Sequence, residues 1–508
     1  MTSASASPPP ARPAGLPALM EHYIGGRHAG SVSGATFDVA DPVSNKPYAT
    51  VAAGEREDVG RAVAAAQEAF TRGPWPQMKP RQRARVLNAI ADGIEARAGQ
   101  LAAWETFDTG LPITQARGQA RRAAENFRFF ADVIVAMHED AYRVGTEQLN
   151  YVVRKPAGVA GLITPWNTPF MLESWKLAPA LASGCCVVLK PAEFTPLSAS
   201  LWPGILAGAG LPEGVFNMVH GYGEQAGQAL VAHPGVPLIS FTGETVTGQV
   251  IMATAAPHLK ALSMELGGKS PVIVFADADL DQALDSAVFG VFSLNGERCT
   301  AGSRVLVERA VYDEFAEQFA ERARNVRVGP PSDPETQLGA LVHPEHYERV
   351  RRYVETGRSE GARLLAGGGR PAHLPEGNYL SATVFADVTP SMRIFQEEIF
   401  GPVVALTPFG TEAEAIALAN DVRYGLAAYV WTSDLARGHR VAQAIEAGMV
   451  WLNSHNVRDL RTPFGGIKAS GLGTEGGEHS IGFYTQPQVI HVALEPPRTP
   501  RFGVAGER

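Results

Sequence analysis

Cysteine is rare in this sequence, with only three among 508 residues. Two of them, Cys185 and Cys186, are adjacent, so no framework of disulfides can brace the fold. This usage fits a reducing compartment, and we expect a cytoplasmic protein in which a thiol stays available for chemistry. A chain of this length needs no such braces, because it can bury two or three separate hydrophobic cores.

Long apolar runs and blocks of like charge are also missing. No stretch is long and apolar enough to cross a bilayer. The opening residues, MTSASASPPPARPAG, lack the apolar segment of a signal peptide, and we expect residues 1–18 to form a disordered leader. The 44 basic and 52 acidic side chains are interspersed and leave a net charge of −8, so neither nucleic acid nor a membrane is an expected partner. The expected partner is a small molecule.

Metal-ligand spacing is absent as well, since the 13 histidines and three cysteines form no recognisable ligand pattern. We therefore predict no metal site.

Short apolar runs alternate with helical patterns through most of the chain. A first series begins after Tyr151 and includes VAGLIT, CCVVLK, FNMVHG and LISFTG, and a second runs from SPVIVF near Ser270 to MVWLN. Such alternation indicates crossover units that build parallel sheets. Helical stretches at 55–70 and 80–104 precede both series. The sequence predicts two open α/β domains.

Two strand-like segments fit neither series. They are AYRVGTEQLNYVVRKP at 141–156 and YTQPQVIHVAL at 484–494. Isolated ribbons leave unpaired edges, so we expect the two segments to pair with each other and with a neighbouring subunit. This predicts a homo-oligomer.

Cys299 lies in SLNGERCTAGSR, a polar loop flanked by glycines, where a thiol gains little from burial. A nucleophilic thiolate needs an accessible, electropositive position, and Arg298 beside it is expected to lower the pKa of the thiol. The alternative is a small buried side chain without chemistry, the commoner fate of a free cysteine. Both interpretations stay open on the local pattern, whereas Cys185 and Cys186 lie in an apparent buried strand and are explained by packing.

Glu265 lies in SMELGGKSP at the end of a predicted strand, before a glycine pair that lets other backbone approach closely. Carboxylates are rarely buried without a partner or a task, so Glu265 is a candidate general base, or else a carboxylate bound only to nearby amides. Asn167, in TPWNTPF, is carried on a turn stiffened by two prolines. Its amide could donate to a developing oxyanion, or it could simply form the turn.

Two glycine-rich turns, HGYGEQAG and FTGETVTG, follow strands of the first series and open helices whose amides could face a phosphate. Neither is a GxGxxG motif or a P-loop, so each could be only a strand-to-helix turn. Lys190 and Glu193, in KPAEF, end a strand at the edge where open α/β folds bind ligands. A glutamate there could accept hydrogen bonds from a ribose, or be a solvated loop charge.

Seven motifs occur in order along the chain: TPWN, KPAE, FTGE, MELGGKSP, NGERC, QEEIFGP and PFGGIKASG. In this order they resemble the aldehyde dehydrogenase superfamily from about residue 20 to residue 494. The resemblance implies a Rossmann-like NAD-binding domain, a catalytic domain and a small β-ribbon oligomerisation element, in a homodimer or homotetramer. We expect these parts at 19–140 with 157–266, at 267–470, and at 141–156 with 484–496.

The resemblance also implies the mechanism. Cys299 would attack an aldehyde, while the Asn167 side chain and the Cys299 backbone N–H hold the oxyanion. The hydride would pass to NAD, and water activated by Glu265 would hydrolyse the thioester to a carboxylic acid. Lys176 is implied as a further catalytic residue.

The implied cofactor residues include Lys190 and Glu193 at the adenosine ribose and Glu398 with Phe400 at the nicotinamide ribose. A carboxylate at Glu193 would repel a 2′-phosphate, which favours NAD over NADP. The family most often has a serine where this chain has Glu244. The remaining implied cofactor residues are Ile163, Thr164, Pro165, Trp166, Gly223, Gly227, Phe241, Gly243, Glu244 and Leu266.

Three stretches, FSLNGERCTAGSR, HNVRDLRTPFGGIKASG and ETFDTGLPI, are similar to family members that oxidise carboxylated semialdehydes in bacterial aromatic catabolism. Arg458 would face the substrate tunnel and Arg298 adjoins the nucleophile, and arginine recognises carboxylates through paired donors. The alternative for these arginines is a set of surface ion pairs. The other expected substrate residues are Arg461, Arg117, Phe170, Trp175 and Phe464.

Other functions stay open on the sequence. The substrate could be a 2-hydroxymuconic-type semialdehyde or a simpler aldehyde, and a related thiol enzyme would release its acyl group to coenzyme A. A silent scaffold could also keep the fold. Retention of Glu265 argues against release to coenzyme A, and intact Cys299, Glu265 and Asn167 argue against silence.

Overall fold

The structure of the chain, a computed structural model, describes residues 12–496, 499–500 and 502–503. Most of the expected leader at 1–18 therefore lies outside the described residues. No helix among those described is long and apolar enough to cross a membrane.

The α-helices, α1 to α15 in chain order, span Arg56–Arg72, Pro80–Glu95, Ala98–Thr109, Ile113–Ala136, Pro169–Ala182, Trp202–Gly208, Gln228–Ala232, Thr245–Ala255, Leu280–Phe292, Tyr312–Arg324, Pro344–Ser359, Arg393–Gln396, Glu412–Asn420, Leu435–Ala444 and Gly477–Tyr484. The β-strands, β1 to β23, span Leu19–Met20, His22–Ile24, Arg27–Ala29, Thr36–Ala40, Pro47–Ala52, Ala141–Val144, Gln148–Pro156, Val159–Ile163, Cys186–Lys190, Phe216–Met218, Leu238–Thr242, Ala261–Glu265, Pro271–Val274, Arg304–Glu308, Arg363–Ala366, Thr383–Ala386, Val403–Phe409, Tyr424–Gly425, Ala427–Trp431, Met449–Leu452, Ile467–Lys468, Gly471–Leu472 and Thr485–Ala493.

An eight-stranded sheet forms the first α/β unit, in the order β22-β12-β11-β8-β9-β10-β2-β3. Its central strands, β12 to β10, are parallel. Strands β8 and β9 are buried at every position, which explains their apolar sequences without alternation. The chain leaves β8 toward β9 and β10 on one side, then returns to add β11 and β12 on the other. The switch point between β8 and β11 is where open α/β sheets bind ligands.

A seven-stranded sheet forms the second unit, in the order β15-β16-β17-β14-β13-β19-β20. All of its strands are parallel except β15, and a hydrophobic cluster covers each face. A separate ribbon pairs β23 with β7 over nine residues and β7 with β6. The two unassigned strand-like segments thus pair with each other, and the predicted fold class is confirmed.

The sequence pattern did not predict two of the long helices, and one predicted helical stretch forms two separate helices. Helices α4 and α11 join neither predicted series, and the stretch at 80–104 breaks between α2 and α3. The buried face of α4 has alanine at five of its ten positions and also includes Gln119 and Asn126, so it carries few large apolar side chains. The hydrophobic pattern therefore located the sheets better than the helices that cover them.

The two α/β units meet beside the loop that carries Cys299. Gly110 ends α3 with a φ of 79°, and a Cβ atom there would collide with the carbonyl of Ala340. The buried amide of Asn295 donates to the carbonyl oxygens of Gly110 at 3.1 Å and Ala340 at 2.9 Å, and accepts from the N–H of Gly339 at 2.8 Å. Asn295 lies four residues before Cys299, so this junction fixes the start of the cysteine loop.

Replacement of Gly110 by alanine should lower the free energy of unfolding by about 2 kcal/mol or more. The new side chain would sit in the left-handed region and press on the Ala340 backbone. Denaturant unfolding measures the loss. Gly118→Ala is the matched control, because Gly118 lies inside α4 with open space around its Cβ position. That variant should gain about 0.4 to 1 kcal/mol, and equal losses in both variants would contradict the close approach at Gly110.

Candidate active site

The three side chains singled out for chemistry line one small cavity of about 60 Å³. Glu265 ends β12, Asn167 lies in the turn between β8 and α5, and Cys299 lies in the loop between α9 and β14. The parallel sheet brings the first two together because the carboxyl ends of its strands meet at one edge. The second α/β unit supplies the cysteine from the opposite side.

Cys299 is half-buried, and its thiol is not activated in the way the sequence led us to expect. Burial raises the pKa of Cys299 to about 12, and the nearby carboxyl groups of Glu265 and Glu398 add to this rise. Arg298 and Arg458 lower the pKa, as predicted for Arg298, but they do not outweigh burial. The predicted effect of Arg298 is thus present, but the net pKa of the thiol is raised because burial outweighs it.

Glu265 is buried, and its Oε2 atom has no hydrogen-bond partner among the described residues. Burial, and then the neighbouring Glu475 carboxylate, raises the pKa of Glu265 to about 8. The opposing charges of Lys176 and Arg458 reduce this shift without cancelling it. A carboxyl group with such a pKa exchanges its proton near neutral pH, which is the property required of a general base.

Asn167 is held in place by a hydrogen bond from its Nδ2 atom to the carbonyl oxygen of Glu297, at 2.8 Å. Glu297 precedes Cys299 by two residues, so this bond joins the turn after β8 to the cysteine loop. The amide group has a second N–H that this bond leaves unused, and the side chain lines the cavity. The arrangement can direct a donor toward an oxygen that develops charge next to Cys299.

Glu475 is a functional residue that sequence reasoning missed. Its Oε1 atom accepts from Lys176 Nζ at 2.8 Å, Ser240 Oγ at 3.1 Å and Ser263 Oγ at 3.2 Å, and its Oε2 atom accepts from Trp175 Nε1. Burial alone would raise the pKa of Glu475, but the Lys176 ammonium group and these donors hold it below its ordinary value. The negative charge of Glu475 disfavours ionisation of the neighbouring Glu265. The pKa of Glu475 is therefore lowered while that of Glu265 is raised. Only its position after PFGGIKASG could have drawn attention to it.

Three arginines approach the cavity that contains Cys299. Arg298 and Arg458 were predicted from the sequence, and Arg122 of α4 was not. Burial, followed by repulsion from Arg458 and Arg298, lowers the pKa of Arg122 to about 10. That repulsion places the three like charges close together. The charges of Glu125 on Arg122, and of Glu265 and Glu475 on Arg458, act in the opposite direction. Nothing in the local pattern around Arg122, an Ala/Arg-rich helix, separates it from its solvent-exposed neighbours.

Arg458 is clamped between two aromatic rings. Its guanidinium carbon lies 4.2 Å from the centre of the Trp175 ring and 4.0 Å from that of Phe464. Cation–π contacts on both faces fix the plane of the guanidinium group. Its Nη2 atom is buried without a hydrogen-bond partner within residues 12–496, so one donor remains available to a ligand.

Three expected substrate residues lie elsewhere. Phe170 faces away from the cavity and stacks on Trp202, with ring centres 4.0 Å apart. Arg461 is exposed, donates to Asp459, and lines an open groove of about 810 Å³ that adjoins the cavity at Arg458. Arg117 is exposed on α4. Helical geometry explains Phe170, because the cavity face of α5 is occupied by Met171, Leu172 and Trp175.

A larger cleft of about 510 Å³ opens at the switch point of the first sheet. Its lining includes most of the expected cofactor residues: Ile163, Thr164, Pro165, Trp166, Lys190, Glu193, Gly223, Gly227, Phe241, Gly243 and Glu244. Thr242 lines both this cleft and the Cys299 cavity, so the two spaces adjoin.

The cleft suits a dinucleotide. Glu193 accepts a short hydrogen bond from Lys190 and a longer one from the N–H of Gly223, at 3.4 Å. Burial would raise the pKa of Glu193, but the Lys190 charge holds it below its ordinary value. The hydroxyl of Thr164 is buried there with no partner among the residues described, and the first turn of α8 offers amides to a phosphate. A charged acceptor, an unpaired hydroxyl and a helix N-terminus match a ribose and a pyrophosphate.

Three expected cofactor residues, Glu398, Phe400 and Leu266, are not part of that lining but lie beside it. Glu398 lies against the glycine pair after β12 and accepts from the N–H of Gly268 at 2.9 Å. The Phe400 ring packs on that of Trp166, with centres 5.2 Å apart. Leu266 fills the space beside Gly248, where a Cβ atom would overlap it. Glu244 is half exposed and lies 3.4 Å from Arg349.

Comparison with known proteins agrees with this site. Residues 29–490 match the aldehyde dehydrogenase family, and the chain belongs to that family. It is an oxidoreductase that acts on an aldehyde group, and the family predicted from the ordered motifs is confirmed.

Individual relatives share nearly the whole chain. The 5-carboxymethyl-2-hydroxymuconate semialdehyde dehydrogenase of Escherichia coli is 49% identical over 467 residues, which cover 91% of this chain and 98% of that protein. The crystal structure of HpcC from Thermus thermophilus has a TM-score of 0.93 and 53% identity, and the match covers 96% of this chain and 95% of that one. An NAD+ complex of aldehyde dehydrogenase from Bacillus cereus has a TM-score of 0.92 and 40% identity, covering 94% and 97%.

Replacement of Glu475 by leucine should lower the free energy of unfolding by about 3 to 5 kcal/mol. The substitution leaves the Lys176 ammonium group buried without a counter-charge. Chemical denaturation measures the change, and the double variant Lys176→Met, Glu475→Leu should recover much of the loss. Glu348→Ala, which breaks an exposed ion pair with Arg351, should leave stability unchanged. A double variant as unstable as Glu475→Leu alone would contradict this account.

Proposed function

We propose that this chain oxidises 5-carboxymethyl-2-hydroxymuconate semialdehyde, a carboxylated aldehyde of aromatic catabolism, to the carboxylic acid with NAD. The observation that carries the proposal is the convergence of Arg122, Arg298 and Arg458 on the cavity that contains Cys299. The carboxyl groups nearest to Arg458 belong to Glu265 and Glu475, and the buried Nη2 atom of Arg458 has no hydrogen-bond partner among the described residues. Buried cationic donors of this kind are costly unless a ligand supplies an acceptor with negative charge. A substrate with two carboxylates does so.

The Cys299 thiolate attacks the aldehyde carbon and forms a carbon–sulfur bond, and the carbonyl oxygen takes the negative charge. Asn167 and the Cys299 backbone N–H stabilise that oxyanion. Because the resting thiol has a raised pKa, attack requires removal of its proton, and Glu265 beside it can accept one. After oxidation Cys299 carries the acyl group as a thioester.

Hydrolysis of the thioester depends on Glu265. Glu265 first releases to solvent the proton that it took from Cys299. Its carboxylate then takes a proton from water, the resulting hydroxide attacks the carbonyl carbon, and the Cys299 thiolate leaves with the electron pair of the broken bond. Burial raises the pKa at which Glu265 becomes a base, and the ionised Glu475, held by Lys176, raises it further. Lys176 therefore acts through Glu475, although the sequence suggested a catalytic role of its own.

NAD fits the cleft at the switch point of the first sheet, and when bound it supplies the hydride acceptor. Lys190 and Glu193 would hold the adenosine ribose, the first turn of α8 the pyrophosphate, and Glu398 the nicotinamide ribose. The charged Glu193 carboxylate favours a free 2′-hydroxyl over a 2′-phosphate, which supports NAD over NADP.

The chain should act as a homodimer or homotetramer. Within the described residues, the ribbon of β6, β7 and β23 leaves two free edges, and β20 forms one edge of the second sheet. Unpaired edges are sites for strand addition by another chain. We further propose the division into a cofactor domain at 19–140 with 157–266, a catalytic domain at 267–470 and a ribbon at 141–156 with 484–496.

Loss of the Arg458 guanidinium group should reduce selectivity for carboxylated aldehydes. In Arg458→Ala, the ratio of kcat/KM for the dicarboxylate semialdehyde to kcat/KM for a neutral aldehyde should fall roughly 10- to 100-fold, the worth of one charge-assisted contact. NADH absorbance gives both rates. Arg461→Ala is the matched control, since Arg461 is exposed and outside the cavity. An unchanged ratio in Arg458→Ala would contradict the proposed binding of a substrate carboxylate by Arg458. Turnover in Cys299→Ser would contradict the assignment of Cys299 as the nucleophile.

Thioester hydrolysis should accelerate as pH rises through about 8. Glu265 has a raised pKa, so its base form is scarce below that pH and predominates above it. Stopped-flow measurement of acyl-enzyme decay between about pH 6 and pH 10 tests this dependence. Glu265→Gln should hydrolyse slowly at every pH. A rise through about 8 that persists in Glu265→Gln would assign the dependence to another group.

A further inference from the structure

The motif ETFDTG, part of α3 and its end, takes no part in the reaction described above. Its two acidic residues, Glu105 and Asp108, are each 1% exposed. They are three residues apart on a helix, so both side chains leave the same face. Buried carboxylates are rare without a task, and the hydrogen bonds of these two show what they do.

Glu105 is bonded to the start of the helix that carries the cavity wall. Its Oε1 atom accepts from the backbone N–H of Phe170 at 2.9 Å. Phe170 is the second residue of α5, and Asn167 lies three residues earlier in the turn. The carboxyl group therefore accepts from one of the backbone amides in the first turn of α5 that have no partner within the helix. This bond fixes the start of α5 and, with it, the direction of the preceding turn that carries Asn167.

Asp108 is bonded to the next loop of the same sheet. Its Oδ2 atom accepts from the N–H of Leu197 at 2.9 Å, and its Oδ1 atom accepts a short bond from the Tyr48 hydroxyl. Lys190 is the last residue of β9, and Glu193 and Leu197 lie in the loop that follows it. The loops after β8 and β9 also contact each other, because Thr195 Oγ1 donates to the Trp166 carbonyl at 3.2 Å.

We propose that Glu105 and Asp108 are positioning residues that fix the oxyanion turn and the cofactor loop relative to each other. One face of α3 thereby fixes the positions of two loops that follow neighbouring parallel strands. The proposal rests on the roles proposed for Asn167 and Glu193. It accounts for two buried carboxyl groups whose partners are backbone amides and a phenol rather than cations.

The charge state of Glu105 agrees with this task. Burial raises the pKa of Glu105 to about 8 and that of Asp108 to about 7. A neutral carboxyl group at Glu105 still accepts through its carbonyl oxygen, and a glutamine amide does the same. Glu105→Gln should therefore preserve the position of the turn, whereas Glu105→Leu should not.

Acylation of Cys299 by p-nitrophenyl acetate tests the Glu105 arm in the full-length protein. The Cys299 thiolate attacks the ester carbonyl, a carbon–sulfur bond forms, and p-nitrophenolate leaves with the electron pair. The reaction develops the same oxyanion but needs neither NAD nor the semialdehyde. Glu105→Leu should slow p-nitrophenolate release roughly 10- to 100-fold, because a small displacement of the donor is enough to lose that much rate. Glu105→Gln should stay within about twofold of the native rate.

A double variant separates positioning from a general loss of structure. If Glu105 acts through Asn167, then Glu105→Leu combined with Asn167→Ala should be no slower than Asn167→Ala alone. Losses that multiply would overturn the proposal, and so would a native rate in Glu105→Leu. The control Glu308→Leu removes another carboxylate, which accepts from the Ala276 N–H at 2.7 Å in the second α/β unit, and should acylate normally. If Glu105→Leu does not fold, Glu105→Asp, shorter by one methylene, carries the same comparison.

The Asp108 arm has a different readout. Asp108→Leu, which removes both acceptor oxygens, should weaken NAD binding roughly tenfold, measured by quenching of tryptophan fluorescence, while acylation stays near the native rate. Asp108→Asn, whose amide oxygen can still accept from the Leu197 N–H, should bind NAD within about twofold of the native protein. Unchanged NAD affinity in Asp108→Leu would overturn this arm. Failure of the proposed function is distinguishable: if Asn167→Ala itself acylates normally, its oxyanion role falls together with the Glu105 proposal. If Asn167→Ala is slow and Glu105→Leu is not, only the positioning role falls.

Discussion

The ion pair between Lys176 and Glu475 is the contact on which the site depends. It joins α5, which carries one wall of the Cys299 cavity, to the segment that follows β22. The same carboxylate binds side chains of β11 and β12, so one buried charge connects a helix, two strands and the C-terminal part of the chain. Because the pair is almost inaccessible to water, its geometry is enforced by the cost of separating the charges. The charge of Glu475 in this pair adds to the effect of burial in raising the pKa of Glu265.

The cavity combines groups of opposite charge preference in a low-dielectric space. Burial pushes the thiol and the Glu265 carboxyl group toward their neutral forms, and it pushes the arginines toward losing their protons. Each group therefore gains from a neighbour of opposite charge more than it would in water. A carboxylated ligand would stabilise the charged form of the arginines and would thereby change the electrostatic potential at Cys299.

The sequence predicted the sheets well, because parallel strands buried on both faces read as short apolar runs between glycines and prolines. It also predicted which end of the sheet holds the site, since motif residues follow strands at Asn167, Lys190 and Glu265. Arg122 and Glu475 could not be found this way, as neither follows a strand of the parallel core. The effect of Arg298 on the pKa of Cys299 could be predicted because the two residues are adjacent in sequence. The larger effect of burial could not, because the residues that bury the thiol come from distant parts of the chain. Phe170 was predicted to contact the substrate but faces away from the cavity, because consecutive residues of a helix point to different sides of it.

The sandwich of Arg458 between Trp175 and Phe464 has a consequence for how this pocket could change its ligand. The two rings lie on opposite faces of a flat group, so the space between them is a slot of one planar thickness. A smaller residue at 458 would leave that slot open toward the adjoining groove. An aryl ring of a neutral aldehyde has the thickness and the π-face to fill it. With arginine at 458 the pocket selects its substrate by charge, and with a smaller residue it would select by shape. A single substitution could therefore change the substrate class without altering the rest of the fold.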